Sequence, residues 1–263
     1  MKPERFEHAQ VEGLRVGRGA KINNTCILYR LGNTVIDTGP PNQWKHVRQF
    51  LEERDVLQVL LTHHHEDHSG NGAQIHQQTG APVKVHPKGI ETLCEGFPLR
   101  LYQRVFWGRP KPFEAQAATD EIELDGGFRL HLIHTPGHSD DSSCYLEPER
   151  GWLFSGDLFV ASKPRYLRCD EDPNQQIDSL QKILSLDIKT VFCAHRGVLN
   201  NGRSDLGRRL DYLVSMREEV QQLYSTGLSV KEITKRLLGR EDWMTWMTGY
   251  HFSKRNLVTA FLP

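Results

Sequence analysis

Short apolar runs separated by turn residues predict β-strands through the first part of the chain. The earliest of these runs are residues 11–16, 25–29 and 34–36. A tight turn at residues 31–33 predicts that the last two strands pair in antiparallel fashion. Residues 43–53 instead place apolar side chains at helical spacing, and another apolar run follows at residues 56–61. Strands that alternate with helices in this way are typical of an α/β fold.

A second group of strands and then a helical region complete the pattern. The second group is predicted at residues 121–124, 129–134, 143–146, 152–154 and 190–193. An amphipathic helix is predicted at residues 177–186, and the spacing beyond Gly202 is helical throughout. We therefore expect one domain at residues 1–202 and a helical segment at residues 203–263.

Residues 88–118 fit neither block, because aromatic and basic side chains are mixed there with little periodicity. An irregular insertion of this kind is typical of a lid over a binding site. It is equally consistent with a surface helix that packs its aromatic side chains on the core. The sequence leaves both interpretations open.

Composition narrows the range of partners and compartments. The chain has 33 basic and 33 acidic residues, so no global charge attracts nucleic acid or an anionic membrane. No run of eighteen apolar residues predicts a membrane span, and residues 1–8 lack the apolar segment of a signal peptide. We therefore expect a cytoplasmic protein. The five scattered cysteines form no C-x-x-C pair, which argues against both disulfides and a cysteine-rich zinc site.

Candidate metal ligands follow the ends of several predicted strands. Residues 62–71 read THHHEDHSGN and come directly after the apolar run at 56–61, so four histidines and an aspartate share one short loop. Three further candidates each lie just past an apolar run: His138 in TPGHSD, Asp157 in FSGD and His195 in CAHRG. Imidazole and carboxylate groups brought together in this way are typical of a metal site.

These four motifs, together with Asp37 in the stretch IDTG, resemble those of the metallo-β-lactamase superfamily across most of residues 11–200. The resemblance implies a four-layer αββα sandwich with two metals at one edge and, here, a C-terminal α-helical extension. The implied ligands are His63, His65 and His138 for one metal, Asp67, His68 and His195 for the other, and Asp157 bridging both. His64 is expected to face away because both of its neighbours point to the metal.

The resemblance also implies a mechanism. Two divalent ions, zinc in the first place and iron or manganese as alternatives, would share a hydroxide that attacks the substrate. The residues expected to take part in catalysis are Asp67, Asp157 and His195, with Asp67 orienting the attacking hydroxide. Asp37 and Ser155 are expected to accept hydrogen bonds from the ligand imidazoles and so to fix their tautomers.

Differences within the motifs narrow the range of expected substrate classes. A bridging aspartate at position 157 argues against a true class B β-lactamase, and Val160 stands where lactone hydrolases usually have tyrosine. The remaining similarity is to hydroxyacylglutathione hydrolases. On this basis we expect a small ester or thioester, carrying an anionic group. The residues expected to contact it are Tyr145, Lys163, Arg165 and Arg168.

The same motifs are also found in proteins with other functions. Lactamase-like endoribonucleases share the motifs and carry a winged-helix-like C-terminal segment, but the neutral charge argues against nucleic acid as the preferred substrate. A β-lactamase or lactonase side activity is a further alternative. A non-catalytic ligand sensor is the least favoured, because all seven metal ligands are present. The sequence leaves the oligomeric state open.

Overall fold

Two β-sheets form the centre of the protein in a computed structural model, which describes residues 2–19 and 24–262. The first sheet has seven strands in chain order, antiparallel from β1 to β4 and parallel from β4 to β7. Its strands are β1 (Glu4–His8), β2 (Val11–Gly17), β3 (Thr25–Leu31), β4 (Thr34–Ile36), β5 (Gln58–Leu60), β6 (Val83–Val85) and β7 (Gln116–Ala117).

The second sheet has six strands in the order β14, β13, β11, β10, β9, β8. They are β8 (Glu121–Glu123), β9 (Arg129–His134), β10 (Ser143–Glu147), β11 (Trp152–Gly156), β13 (Thr190–Cys193) and β14 (Gly197–Leu199). Only β11 and β13 pair in parallel. A separate two-stranded sheet joins β12 (Leu167–Arg168) to β15 (Phe252–Ser253).

Helices cover the outer faces of both sheets. Those from the first part of the chain are α1 (Trp44–Leu51), α2 (Gly72–Thr79), α3 (Ile90–Glu95) and α4 (Leu101–Phe106). The later ones are α5 (Pro173–Leu184), α6 (Gly202–Ser225), α7 (Val230–Leu238), α8 (Trp243–Met247) and α9 (Lys254–Thr259). In the part of the chain that the structure describes, none of these helices is long and apolar enough to cross a membrane.

Three apolar interfaces hold the four layers together. Side chains alternate along β3, so that Leu28 packs under α1 and α2 while Ile27 and Tyr29 face the second sheet. The outer face of the second sheet packs on α5, α6, α7 and α9 through residues such as Leu180 and Leu213. Because both faces of the central strands are buried, these strands read as continuous apolar runs. The predicted αββα sandwich is confirmed.

One local prediction differs from the structure, and one region that the sequence left open takes a defined form. The segment 203–263 is not wholly helical, because β15 pairs with β12 and thereby attaches the segment to the loop beyond Asp157. The insertion at 88–118, which the sequence left open, contains the short helices α3 and α4, and α4 leaves Leu101 and Val105 exposed. The local pattern reveals such short elements poorly, because a strand of two residues and a helix of six are shorter than the window over which periodicity is recognised.

The ligand motifs meet because of strand direction. The parallel strands β4 and β5 end on the same side of the first sheet, which brings Asp37 beside the loop 62–71. In the second sheet β11 and β13 are also parallel, and β9 runs in the same direction because two antiparallel pairings separate it from β11. The carboxyl ends of these strands therefore form one edge.

Replacing Leu213 with alanine should lower the free energy of unfolding by about 2–5 kcal/mol, because this completely buried side chain on α6 leaves a cavity in the core. Leu101→Ala is the matched control: this leucine is 77% exposed, and its loss should cost less than about 0.5 kcal/mol. Urea unfolding of the metal-free protein measures both values. Equal losses would contradict a core shared between α6 and the second sheet.

Candidate metal centre

The loops that follow four strands deliver the seven predicted ligands to one place. The loop after β5 carries four of them, and single ligands follow β9, β11 and β13. Gly156 allows two of these loops to approach each other closely. It has a φ of +47°, and a Cβ atom there would lie 2.8 Å from the Thr62 side chain.

The first group consists of His63, His65 and His138. One nitrogen from each lies within 4.8 Å of the others, and His65 Nδ1 is 2.9 Å from His138 Nε2. His63 and His65 are buried, and the side chain of His138 is 12% exposed. Three converging imidazoles of this kind match the ligand set of a catalytic zinc site.

The second group lies next to the first. Asp67 Oδ2 lies 3.9 Å from His68 Nε2 and 3.8 Å from His195 Nε2. Asp157 stands between the groups: its Oδ2 is 3.3 Å from His138 Nε2, while its Oδ1 is 3.4 Å from His68 Nε2 and 3.1 Å from His195 Nε2. One carboxylate therefore faces both groups.

The centre contains polar atoms that only a further ligand would satisfy. His63 Nε2, His68 Nε2 and Asp157 Oδ1 are buried and have no hydrogen-bond partner within residues 2–19 and 24–262. An unpaired polar atom in such a place costs free energy, and buried groups of this kind are normally paired or bound to a metal. The nitrogen and oxygen donors present therefore fit divalent metal ions.

Hydrogen bonds on the far side of three ligand imidazoles turn the other nitrogen of each toward the centre. His68 Nδ1 donates to Asp37 Oδ2 at 2.8 Å, and His195 Nδ1 donates to the Thr25 carbonyl at 2.6 Å. His138 Nδ1 lies 3.1 Å from Glu171 Oε1. Such contacts fix the tautomer and orientation of a metal-binding histidine.

Asp37 also holds the metal loop in place. Its φ is +60°, a left-handed conformation that is uncommon for a residue other than glycine, and its side chain accepts from the Thr62 amide at 2.8 Å. The Thr62 hydroxyl donates to the same carboxylate. Further along, Asn71 Nδ2 donates to the carbonyls of residues 38–40. The two loops are thus joined by buried hydrogen bonds.

Burial and charge prepare the ligands for metal. Burial lowers the pKa of His63 and of His65 well below the ordinary value, and Arg168 adds to the effect at His65. These imidazoles are therefore neutral near pH 7, the form that binds metal. Burial alone would raise the pKa of Asp157, but His195 and His68 outweigh it and hold this pKa well below the ordinary value.

Several predicted residues do not reach the centre. Tyr145 is completely buried between the sheets and donates to the Leu61 carbonyl, so the prediction that it contacts substrate is wrong. Ser155 Oγ donates to the Gly156 carbonyl and contacts no ligand imidazole. Arg165 extends to the Leu238 carbonyl, and Lys163 is exposed. Strand alternation and packing decide these directions, which the motif alone does not contain.

Arg168 and His64 lie close to the first ligand group. Arg168 is buried, and its Nη1 lies 3.3 Å from His65 Nδ1. Its guanidinium is paired with Asp170 through Nε at 2.9 Å and Nη2 at 2.7 Å. His64 faces away from both groups, with its Nδ1 2.8 Å from Asp141 Oδ1.

Sequence reasoning missed three residues near the centre. Glu171, 33 positions beyond His138, contacts that ligand. Cys26 lies with Asp67 and His68 within 4.8 Å, although burial raises the pKa of its thiol well above the ordinary value and so keeps it neutral. His251 Nδ1 lies 2.5 Å from the Tyr102 hydroxyl. Of these three residues, only Cys26 could have been predicted from the sequence to lie near the centre, because its strand is the neighbour of the strand that precedes Asp37.

Comparison with known proteins supports this assignment. The sequence profile of the metallo-β-lactamase superfamily matches residues 22–195, which contain all seven ligands. The chain belongs to the metallo-β-lactamase superfamily. Within the same fold, a β-lactamase domain protein from Burkholderia ambifaria superposes with a TM-score of 0.76 at 16% identity, over 98% of this chain and 87% of that one.

The relatives that match this chain in sequence are longer proteins, and the match covers only part of each. The lactamase-like protein aptB of Emericella nidulans is 29% identical over 196 residues, 73% of this chain and 55% of that protein. An atrochrysone carboxyl ACP thioesterase of Passalora fulva is 28% identical over 64% of this chain and 46% of its own length. A hydroxyacylglutathione hydrolase of Idiomarina loihiensis is 33% identical over 59% and 54%. The chain spans about half the length of these relatives.

Replacing Asp37 with alanine should weaken metal binding at the His68 group by about 10–100-fold, because the imidazole loses the partner that fixes its tautomer. Asp211→Ala, on the exposed face of α6, is the matched control and should bind metal as the unaltered protein does. Competition with a chromogenic chelator measures the affinities. Equal affinity in both variants would refute the positioning role of Asp37.

Proposed function

We propose that this protein is a two-metal hydrolase of a small ester or thioester that carries an anionic group. The observation on which this rests is the position of Asp157, whose two oxygens face the two ligand groups separately. A carboxylate between two sets of imidazoles is the arrangement by which paired metal ions share one water. Zinc is favoured by the predominance of imidazole ligands, with iron or manganese as alternatives.

When bound, two such ions would polarise the substrate carbonyl and lower the pKa of a water between them. The residues of the chain supply the remaining functions. Asp67 is 12% exposed and faces both His68 and His195, so its carboxylate can hold and orient the proton of the attacking water. Asp157 and His195 belong to the centre itself.

Arg168 supports an anionic substrate. Its guanidinium places a positive charge beside His65, and Asp170 holds it in a fixed bidentate orientation. Arg168 and Glu171 line a cavity of about 380 Å³, whose other wall is formed by residues of α9, among them Arg255 and Asn256. A cavity of this size suits a small molecule.

The insertion at 88–118 also supports a small substrate. Gln103 on α4 donates to Glu66 in the metal loop at 2.9 Å, and the neighbouring Tyr102 contacts His251 from the C-terminal segment. Helix α4 therefore lies against the centre and joins two distant parts of the chain beside it. Of the two interpretations left open by the sequence, this placement favours the lid.

The names of the relatives support ester or thioester chemistry. One is a thioesterase and another a hydroxyacylglutathione hydrolase, both in the range of 28–33% identity. Because this chain spans only about half of each, their particular substrates are not carried over. RNA hydrolysis is the second candidate, because lactamase-like endoribonucleases share the motifs of the superfamily. The balanced charge of the chain does not support it.

Zinc-loaded protein should hydrolyse thioesters faster than lactones, β-lactams or single-stranded RNA when all four classes are assayed at equal concentration. The reason is the combination of a two-metal centre with a small cavity next to Arg168. His138→Ala is the control for contaminating activity, since it removes a ligand of the first group. Turnover of RNA alone would overturn the proposal.

Arg168→Met should remove the preference for thioesters that carry a carboxylate, through a rise in KM of about tenfold, the effect of losing about 1.4 kcal/mol of charge-assisted hydrogen bonding. Uncharged thioesters should be hydrolysed as before. Lys163→Met is the matched control, because Lys163 also follows β11 but its side chain is exposed. Steady-state kinetics on paired substrates measures the difference. An equal loss on charged and uncharged substrates would argue against anion binding by Arg168.

A further inference from the structure

A buried chain of hydrogen bonds leads from the metal centre into the C-terminal helices. Glu171 Oε1 contacts His138 Nδ1 at 3.1 Å, and Glu171 Oε2 accepts from Gln176 Nε2 at 2.9 Å. Gln176 Oε1 in turn accepts from Arg209 Nη2 at 2.8 Å. Gln176 is 2% exposed and Arg209 5% exposed, so water does not substitute for these partners.

Two groups fix the direction of every bond in this chain: the Arg209 guanidinium, which only donates, and the Glu171 carboxylate, which only accepts. A guanidinium has only donors, so Arg209 requires the oxygen of Gln176 to face it. The amide nitrogen of Gln176 must then face Glu171, whose two oxygens both accept. His138 therefore donates from Nδ1, and its Nε2 is left with a lone pair. That Nε2 lies 2.9 Å from His65 Nδ1, at the first ligand group.

The backbone at Gly137 holds the His138 loop close to the start of α5, which keeps the partners of this hydrogen-bond chain within reach of one another. The Gly137 carbonyl, directly before His138, accepts from the Asp172 amide at 2.8 Å and from Gln176 Nε2 at 3.3 Å. Gly137 has a φ of +125°, and a Cβ there would lie 2.5 Å from the backbone nitrogen of Gln176. A larger residue would separate the loop from the start of α5.

Arg209 serves the second loop of the centre as well. Its Nη1 donates at 2.8 Å to the Ala161 carbonyl, four residues beyond Asp157. One side chain of α6 therefore contacts the loop of Asp157 directly and the loop of His138 through Gln176. Both loops lie within residues 1–202, whereas Arg209 belongs to the predicted C-terminal segment.

We propose that Arg209 and Gln176 are positioning residues that, acting through Glu171, select the tautomer of His138 that binds metal at the first ligand group. This inference rests on the proposed metal centre. It assigns a role to the C-terminal segment that does not depend on any contact with substrate or nucleic acid. The segment is then part of the metal-binding machinery.

Reversing the bond directions tests the inference. Glu171→Gln brings an amide nitrogen against the nitrogen of Gln176, and Gln176→Glu brings two carboxylates together, so each should weaken one metal site by about 10–100-fold. The double variant E171Q/Q176E restores donor to acceptor along the chain: the new glutamate accepts from Arg209 and from the new glutamine, which still accepts from His138. It should bind zinc more tightly than either single variant.

Zinc affinity and stoichiometry, measured by competition with a chromogenic chelator, are the readout, and circular dichroism of the metal-free forms checks folding. Gln181→Glu is the matched control, because it adds the same charge on an exposed position of α5. Folded single variants that bind two zinc ions as tightly as the unaltered protein would overturn the inference, as would a double variant no better than the singles. Failure of the unaltered protein to bind zinc would instead overturn the proposed function.

Discussion

The cost of burying polar ligands is the constraint on which the rest of this structure depends. Five imidazoles and two carboxylates converge at one edge of the sandwich, and most are inaccessible to water. Each imidazole has two nitrogens, and only one can face a metal. The other must find a fixed partner within the protein, because an unpaired buried polar atom is costly. Asp37, the Thr25 carbonyl and Glu171 are such partners.

These partners come from different layers of the fold, which explains why the layers cannot vary independently. Asp37 follows a strand of the first sheet, Thr25 begins another, and Glu171 precedes the helix that covers the second sheet. Arg209 extends the same dependence to α6. The C-terminal helices share an apolar core with the second sheet. On this view they stabilise the centre through packing and also, as proposed, through hydrogen-bond direction.

Under the proposed function, charge near the centre is divided between binding metal and binding substrate. Asp37, Asp67 and Asp157 would offset the positive charge of two ions. Arg168 lies beside His65, is held by Asp170 and also lines the cavity next to α9. This separation supports an enzyme that recognises an anionic group a short distance from the bond it cleaves.

The sequence by itself determined the fold class and all seven candidate ligands. Strand-end motifs such as THHHEDH and FSGD follow apolar runs, and their order along the chain identified the superfamily before any coordinates were needed. The resemblance of these motifs to those of the superfamily implied the ligand set, and the motifs can meet because parallel strands of a buried sheet deliver their carboxyl ends to one edge. Arg168 was found in the same way, by its closeness in sequence to Asp157.

Only the tertiary structure decided which residues support the ligands. Glu171, Gln176 and Arg209 lie 33, 38 and 71 positions beyond His138, and no periodicity connects them. Conversely, Tyr145 and Ser155 lie close to ligands in sequence, yet strand alternation directs them elsewhere. Hydrogen-bond partners across layers depend on how strands and helices are packed, and that information is distributed over the whole core rather than carried by any motif.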